Sequence, residues 1–436
     1  MVSDLGRIYG GLDDLAVLSP LLQEAAWRGI GRTPADLATV DYDVTNYFFH
    51  IDAPDQDPVG KDGARGQATR QKGYSKEHRP DPIIQMGLFL DAEGIPVSYR
   101  LFDGNVPDMS TLTSALSEFK TVFRPGRIVV VADKGLNTAP NLIGLHDHGD
   151  GWIVAASHRR DRAVQDWILD PTGWVWNPEG TFRIKSQIIE HTISARVGGV
   201  SVKAVVKEKF VAAWSTAAAT RDRATREELL RKADLLAADA PTWRAGNKRG
   251  PRKYVTENTV DTTTGEILTG HDTTILGVDR VRAAAEALLD GYHMVRTSET
   301  TLGDQHILDR YHQLWQIEHA FRVSKTDLEA RPVFVRLPSR IEGHFAICFL
   351  ALLATRLLER WTGLPSAQLV QAIKDFQAMP CGDGVYRLQR PGWEPIDAAT
   401  GVALNQTWAT IDQIRNWARQ LTAAVKTTTF PTRHNH

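Results

Sequence analysis

The spacing of apolar residues along the chain predicts a mixture of strands and helices. In its first third it indicates, in order, a helical lead, a strand, a hairpin, a helix and a strand buried on both faces. These elements are predicted over residues 12–27, 40–52, 83–104, 109–122 and 128–132. The last of them, Ile128–Ala132, is wholly apolar, as is typical of a strand covered on both faces. This order predicts an α/β domain.

The rest of the chain continues the mixture. Residues 150–215 are predicted to be mostly β, and further helices and one strand follow. The helices are predicted over 221–239, 279–289, 304–330 and 340–359, and the strand over 291–298. The residues beyond 360 are predicted to be helical in places. Residues 53–82 and 240–275 are polar and rich in turn residues, which predicts loops.

Composition excludes several classes of protein. The chain has 436 residues, with 42% hydrophobic and 24% charged residues, which excludes a mainly disordered, collagen-like or coiled-coil protein. The two cysteines support neither a disulfide framework nor a zinc site. The N-terminus has no apolar signal core, and the longest apolar run, 345–354, is about half of a membrane span. We therefore expect a cytoplasmic protein with no membrane partner.

The net charge of −1 argues against a uniformly basic nucleic-acid binder, yet local basic patches remain open. One basic cluster lies in the second loop region. It consists of Arg244, Lys248, Arg249, Arg252 and Lys253. Contact with DNA and a solvated loop are both open interpretations of this cluster.

Three acidic residues occupy informative positions. Asp43 lies inside the first predicted strand, where acids are disfavoured. Asp133 follows the buried strand, at the end where α/β sheets usually bind ligands. Glu318 lies in the predicted helix 304–330. An edge-strand acid, a turn residue and a surface helix charge are the ordinary alternatives for these three residues.

The helix around Glu318 carries an unusual combination of side chains. At about 100° per residue, the spacing of seven brings Tyr311, Glu318 and Lys325 close to one face. Trp315 and Arg322 flank that face. Trp315 could pack in the core or stack on an unpaired base.

Three carboxylates without histidine or cysteine ligands suit Mg²⁺ or Mn²⁺. Two such ions would support an in-line phosphoryl displacement, and cations nearby would hold phosphates. A two-carboxylate glycosidase is a weaker alternative, because it leaves the third acid and the cations unexplained.

At this point the sequence resembles a known family, the DDE transposases of bacterial insertion sequences. It is most similar to the insertion-sequence-1634 group of the insertion-sequence-4 superfamily. The resemblance runs from about Val40 to Glu359. It is carried by YDVTNYFF, GYSKEHRPDP, GLFLDAEGIPVSYRLFDGNVPD, VVVADKGLNT, DGYHMVRTSE and YHQLWQIEHAFRVSKTDLEARPVF. The family signature Tyr-x2-Arg-x3-Glu-x6-Lys is matched by Tyr311, Glu318 and Lys325.

The resemblance implies a ribonuclease-H-like core with Asp43, Asp133 and Glu318 as the catalytic, metal-binding triad. It also implies a β-rich insertion domain between the second Asp and the Glu. The implied divisions are a short helical lead, two parts of the core that flank the insertion, and a helical C-terminal region. The lead spans 1–39, and the two parts of the core span 40–145 and 276–360. The insertion spans 146–275, and the C-terminal region spans 361–436.

The implied activity is cleavage of double-stranded DNA at the inverted repeats of an element and transfer of the ends into target DNA. Two Mg²⁺ or Mn²⁺ ions and a homodimer on DNA are implied with it. The DNA contacts would come from Tyr311, Trp315, Arg322 and Lys325 and from the basic residues Lys248, Arg249, Arg252 and Lys253. A flipped base would find support on Trp315 or on a tryptophan of the insertion: Trp152, Trp167, Trp174 or Trp176.

Two departures from the family keep alternatives open. Leu314 occupies the signature's Arg position, for which Arg310 or Arg322 would have to substitute. About 40 residues precede the first strand, fewer than is usual for the family, which leaves open a truncated DNA-end recognition region. A DNA-binding remnant without catalysis, and a structure-selective nuclease that does not join strands, are therefore the alternative functions.

Overall fold

The computed structural model describes residues 2–55, 69–76, 79–159, 161–238, 249–260, 273–402 and 407–427. They form a mixed α/β protein in two compact units. The first unit comprises Met1–Val154, His191–Val206 and Asp309–His436. The second comprises Ala155–Glu190 and Lys207–Leu308.

The helices follow the chain in this order: α1 (Val2–Gly29), α2 (Thr111–Phe123), α3 (Ala139–Asp147), α4 (Arg162–Leu169), α5 (Thr216–Ala238), α6 (Arg280–Ala287), α7 (Asp304–His312), α8 (Trp315–Arg322), α9 (Pro338–Thr362), α10 (Ser366–Lys374), α11 (Glu394–Thr400) and α12 (Ile411–Thr427). Short 3-10 turns cover Pro34–Leu37, Asp108–Ser110 and Gly250–Tyr254, and a π turn covers Val323–Asp327.

The strands are β1 (Thr39–Phe48), β2 (Ile83–Asp91), β3 (Pro96–Asp103), β4 (Val129–Ala132), β5 (Gly151–Ala155), β6 (Val175–Trp176), β7 (Phe182–Val197), β8 (Val200–Ser215), β9 (Val255–Val260), β10 (Thr273–Val278), β11 (Tyr292–Thr297), β12 (Gln377–Pro380), β13 (Val385–Gln389) and β14 (Trp408–Thr410).

The first unit is built on a mixed sheet with the strand order β3-β2-β1-β4-β5. β1 and β2 are antiparallel, with Val40 opposite Asp91 and Phe48 opposite Ile83. β4 runs parallel to β1, and β5 runs parallel to β4. Every residue of β2 and of β4 is buried, as expected for apolar runs in the middle of a covered sheet. This sheet supports the candidate site described below.

Helix α2 covers one part of this sheet because its apolar residues recur at helical spacing. Leu112, Leu116 and Phe119 are buried in the main core of the first unit. The ring of Phe119 lies 4.6 Å from that of Phe89 on β2. Burial of each such side chain contributes roughly 1.5–3 kcal/mol, so α2 is fixed firmly to the sheet.

Helices α1 and α9 pack against each other at a close approach. A Cβ atom built at Gly343 on α9 would collide with the backbone carbonyl of Leu12 on α1. Glycine therefore allows the two backbones to meet. By length and composition α9 could also cross a membrane, but half of its most apolar window is buried in the structure. Its Phe349 packs on Tyr99 of β3 with ring centroids 5.3 Å apart, which makes α9 a core helix of this unit.

The second unit contains both strands and helices. It contains β6, β11 and the parts of β7 and β8 outside His191–Val206, and the strand order is β11-β8-β7-β6. β9 pairs with β10 in a separate two-stranded sheet. Small apolar clusters stabilise it: one includes Ile168, Leu289 and Met294, and another is centred on Tyr254 and Val255.

Most of the predicted elements are confirmed, including the N-terminal helix, the hairpin and the buried strand. Much of the predicted loop 53–82 and of the polar region 240–275 lies outside the described residues. The stretch predicted to be mostly β also contains α4, whose N-cap Asp161 accepts a hydrogen bond from the backbone of Ala163. The C-terminal region adds a three-stranded sheet of β12, β13 and β14 to its helices.

The prediction of one long helix over Asp304–Ala330 is wrong. The segment breaks into α7, α8 and the π turn. At the break, Leu314 and Ile317 donate to carbonyls three residues earlier, at Tyr311 and Leu314. These tighter turns shift the helical register while the buried side chain of Leu314 stays in the core. The spacing of apolar residues in the sequence does not reveal such a change in backbone hydrogen bonding.

We expect the substitution Gly343→Ala to destabilise the protein by about 1–3 kcal/mol, because the new methyl group forces α1 away from α9. Denaturant unfolding of the full chain measures the change. Gly11→Ala on α1 is the matched control: a Cβ there meets open space, so stability should hold or rise by roughly 0.5–1 kcal/mol. Equal stability of Gly343→Ala and wild type would contradict the described packing.

Candidate active site

The site is organised by one face of β1. Alternate side chains of a strand point to the same face. On this face lie Asp41, Asp43, Thr45 and Tyr47. The carboxylate of Asp41 accepts a hydrogen bond of 2.6 Å from the guanidinium of Arg310 on α7. The hydroxyl of Thr45 accepts one of 2.8 Å from Nζ of Lys325 in the π turn.

A third contact adds to those of Asp41 and Thr45, and together the three form a row of contacts along β1. The hydroxyls of Tyr47 and of Ser324, in the π turn, are 2.9 Å apart and share a hydrogen bond. β1 therefore holds the segment from α7 to the π turn at three points along its length. Asp43 lies on β1 between the first two of these contacts, made by Asp41 and Thr45. Glu318 belongs to the contacting segment and lines the same cleft as Asp43.

Asp43 and Asp133 are neighbours because of strand register. Tyr42 and Ala132 are the last paired residues of the parallel strands β1 and β4. Asp43 and Asp133 directly follow them, on strands about 4.8 Å apart. The carboxyl end of β4 is thus where the two acids meet, as expected for a ligand-binding edge of an α/β sheet.

Glu318 joins these two acids in one open cleft of about 440 Å³. The cleft is lined by Asp43, Thr45, Lys76, Asp133, Glu318, Phe321, Arg322, Lys325, Thr326 and Arg331. Tyr311 lies close enough to be influenced by these acids. Burial, together with the charges of Asp133, Glu318 and Asp43, raises the pKa of Tyr311 to about 12.

The predicted common face of Tyr311, Glu318 and Lys325 assumed a continuous helix, which the structure does not have. Tyr311 lies on α7, Glu318 on α8 and Lys325 in the π turn. Glu318 and Lys325 still line one cleft, and the charges of its acids influence Tyr311. A π turn is often found at a functional site.

The donor set suits a hard divalent cation, since it consists of carboxylate oxygens alone. One oxygen of Asp43 accepts the backbone N–H of Val44 at 2.7 Å, and one oxygen of Asp133 accepts that of Gly135 at 2.8 Å. Glu318 is exposed, and within the described ranges it makes no hydrogen bond or ion pair. Each acid therefore has an oxygen to offer to a metal ion.

The carboxylates are not gathered around a single point. In the described part of the chain, no three His, Cys, Asp or Glu side chains form a group that could hold a metal ion as they stand. Binding of a shared ion by Asp43, Asp133 and Glu318 requires their side chains to rotate towards one another. The exposed side chains of Asp133 and Glu318 have room to do so.

Four cations line the same cleft. Lys325 and Arg322 were predicted, whereas Lys76 and Arg331 were not assigned a role from the sequence. Lys76 lies in the loop before β2, within the segment GYSKEHRPDP. Its ammonium donates to the carbonyl of Val44, directly after Asp43. Only the folding of that loop onto β1 reveals this proximity, because Lys76 and Asp43 belong to separate segments of the sequence.

The structure distinguishes the two residues that could substitute for the signature Arg. Leu314 is buried in the core. Arg310 is buried too and is paired with Asp41, so the prediction that it could serve as a phosphate contact is wrong. Arg322 is exposed and lines the cleft, so of the two it is the one accessible to a phosphate.

Trp315 lies outside the acidic cleft. It lines a separate cavity of about 510 Å³ on the first unit, together with Glu93, Arg356 and Arg360. Its side chain is 53% exposed, and its ring lies 6.0 Å from that of His319. A core position for Trp315 is therefore excluded, and its surface is accessible to a stacking partner.

The four tryptophans that were assigned to the insertion from the sequence, Trp152, Trp167, Trp174 and Trp176, divide between the two units. Trp152 is buried in the core of the first unit, so the prediction that it could support a flipped base is wrong. The remaining three lie in the second unit, around two cations. Lys185 lies 5.0 Å from the ring of Trp167, and Arg183 lies 4.6 Å and 4.9 Å from the rings of Trp174 and Trp176.

The basic cluster is only partly described. Arg244 and Lys248 lie outside the described residues. Arg249, Arg252 and Lys253 belong to the second unit, whereas the acidic cleft is formed by the first. Lys253 is paired with Glu286 at 2.6 Å, which compensates its charge.

Comparison with known proteins places this site in a family. The family model described as the transposase DDE domain matches residues 50–354. Asp133 and Glu318 lie within the matched stretch, and Asp43 lies just before it. Comparison with curated proteins finds no match.

One solved structure is similar in part. It is a cryo-EM structure of the piggyBac transposase synaptic complex with hairpin DNA, at 7% identity and a TM-score of 0.35. The alignment covers 91% of this chain and 59% of that one, so the chain spans less than two thirds of its length. A similarity of this size supports no conclusion about function.

The electrostatics of Asp43 predict a pH dependence for metal binding. Burial raises the pKa of Asp43 to about 6, against the opposing charge of Lys76. Above that pH the carboxylate is charged and can bind a cation; below it, a proton must be displaced. We expect the Mn²⁺ affinity of the full chain to fall by up to roughly tenfold per pH unit below 6.

Electron paramagnetic resonance of free Mn²⁺ measures this affinity, and circular dichroism confirms that the chain remains folded at each pH. An affinity that stays constant from pH 7 to pH 5 would show that Asp43 is not a ligand.

Proposed function

Because the chain belongs to the transposase DDE domain family, we propose that it moves a DNA element by metal-dependent cut-and-paste transposition. It would cleave double-stranded DNA at the ends of the element and transfer those ends into target DNA. One observation carries the proposal: Asp43, Asp133 and Glu318, distant in the sequence, line one cleft together with Lys325.

We infer that the first unit contains a ribonuclease-H-like core. The mixed sheet β3-β2-β1-β4-β5 supports this inference, since it places the first two acids on adjacent parallel strands. The second unit lies between Asp133 and Glu318 in the sequence and contains β6, β9, β10, β11 and parts of β7 and β8, which is consistent with a β-rich insertion domain. The quoted sequence segments support membership of the insertion-sequence-4 superfamily and its insertion-sequence-1634 group, and with it a bacterial, cytoplasmic setting.

Asp43, Asp133 and Glu318 would hold two Mg²⁺ or Mn²⁺ ions. When bound, such ions activate an attacking water or 3′-hydroxyl and stabilise the leaving oxygen of an in-line displacement. The three carboxylates fit this role because they are all oxygen donors at one open edge of the sheet.

The residues around the acids would position the DNA. Lys325 is held by Thr45, and we propose that its ammonium binds the phosphate next to the cleaved bond. Burial lowers the pKa of Lys325 to about 8, so the side chain is still mainly charged at neutral pH. Arg322 is exposed at the mouth of the same cleft and would bind a neighbouring phosphate.

Tyr311 would orient the catalytic segment or touch the DNA backbone. Outside the cleft, the exposed ring of Trp315 would stack on an unpaired base. Arg249, Arg252 and Lys253, with the undescribed Lys248, would add charge for DNA. Synapsis of two element ends implies a homodimer on DNA.

The test is a nicking assay on DNA that carries the element ends. We expect wild type to cleave only with Mg²⁺ or Mn²⁺, and Asp133→Ala to lose at least about 10³-fold in rate, because it lacks a metal ligand worth several kcal/mol in the transition state. Asp147→Ala is the matched control: Asp147 is exposed on α3, and its substitution should leave cleavage unchanged.

Wild type that binds element ends but never cleaves them would identify the chain as a DNA-binding remnant. Cleavage that depends on Asp133 but is not followed by joining to target DNA would identify a nuclease. Either outcome contradicts transposition.

A further inference from the structure

Lys76 lines the acidic cleft and contacts the backbone of β1. Its ammonium donates a hydrogen bond to the carbonyl of Val44, the residue after Asp43. It lies 3.7 Å from a carboxylate oxygen of Asp108. Lys76 also lines the same cleft as Asp133 and Glu318. A positive charge is therefore built into the edge of the sheet where the acids meet.

The charge of Lys76 influences several ionisable groups in and beside the cleft. Besides burial, Lys76 is the strongest influence on the pKa of Asp43 and of Asp108, and it lowers both. It also lowers the pKa of Lys325, after burial. An ammonium with these effects offsets the repulsion that Asp43 and Asp133 exert on each other across adjacent strands.

The side chain is able to move. It is 41% exposed, and lysine is a compact charge on a flexible four-carbon chain. Its partner Asp108 is 42% exposed and lies on the rim, in the turn before α2. A cation that binds Asp43 would repel this ammonium, whereas the exposed rim offers it water and Asp108.

We propose that Lys76 is the resting counter-ion of the acidic cleft and that a divalent cation displaces it. In the metal-free protein its ammonium compensates the charges of Asp43 and Asp108. When the acids bind a metal ion, the ammonium moves away from Val44 towards solvent. This inference rests on the proposed function, because it takes Asp43, Asp133 and Glu318 as the metal ligands.

The proposal predicts that removal of the charge strengthens metal binding. We expect Lys76→Met to bind Mn²⁺ about 3–10-fold more tightly than wild type in the absence of DNA, because the ion no longer competes with an ammonium. Lys76→Arg keeps the charge and should bind Mn²⁺ nearly as wild type does. Lys374→Met removes an exposed lysine paired with Glu329 and should change nothing. Electron paramagnetic resonance of free Mn²⁺, with the full chain, measures all four affinities.

A second measurement needs no substitution. Mass spectrometry after treatment with an amine-reactive reagent reports the accessibility of each lysine. We expect labelling of Lys76 to rise several-fold when Mg²⁺ is added, while labelling of Lys374 stays constant. Labelling of Lys76 that is unchanged or lower with Mg²⁺ would overturn the proposal.

Asp133→Ala separates the failure of this inference from that of the proposed function. If wild type binds Mn²⁺ and Asp133→Ala does not, but Lys76→Met binds it no more tightly than wild type, the counter-ion role is wrong and the metal site stands. If wild type and Asp133→Ala bind Mn²⁺ equally, the metal site itself is wrong, and the counter-ion role falls with it.

Discussion

The candidate site depends on the contacts between one face of β1 and the broken helical segment from α7 to the π turn. The buried ion pair of Asp41 with Arg310 begins this row, and hydrogen bonds from Lys325 to Thr45 and between Ser324 and Tyr47 continue it. Removal of one partner of a buried ion pair typically costs about 3–5 kcal/mol, because the other charge is left without compensation. The row therefore fixes where Glu318 lies relative to Asp43.

The segment that makes this row of contacts is not a regular helix. The spacing of its contact residues along β1 is set by the strand, at about 3.3 Å per residue, whereas a helix rises about 1.5 Å per residue. The tight turn at Leu314 and the π turn at Val323–Asp327 interrupt the regular helix between the contacts of Arg310 and Lys325 with β1. Departures from ideal helix geometry thus bring Tyr311 and Lys325 to the acids.

Charge balance in the cleft sets a working range of pH. Burial raises the pKa of Asp43 to about 6 and lowers that of Lys325 to about 8. Between these values the carboxylate is mainly ionised and the ammonium mainly protonated. The proposed metal ligand Asp43 and the proposed phosphate ligand Lys325 can then be charged together near neutral pH, although they lie in one cleft.

The positions of the two aspartates, Asp43 inside a strand and Asp133 directly after one, could be predicted from the sequence, because the strands β1 and β4 have recognisable apolar patterns. Glu318 and Lys325 were also predicted, although the continuous helix assumed for them is wrong. Two features were beyond the reach of sequence patterns. The role of Arg310 depends on a buried acid on another element, and that of Lys76 on how a polar loop folds over β1. Such long-range polar contacts leave no periodic signal.

The most direct test of the central claim is a crystal structure of the protein soaked with Mn²⁺, with the ions located by their anomalous scattering. The account predicts manganese bound jointly by the side chains of Asp43, Asp133 and Glu318, with Lys325 still held by Thr45. Manganese bound elsewhere, or a Glu318 that takes no part in its coordination, would contradict it.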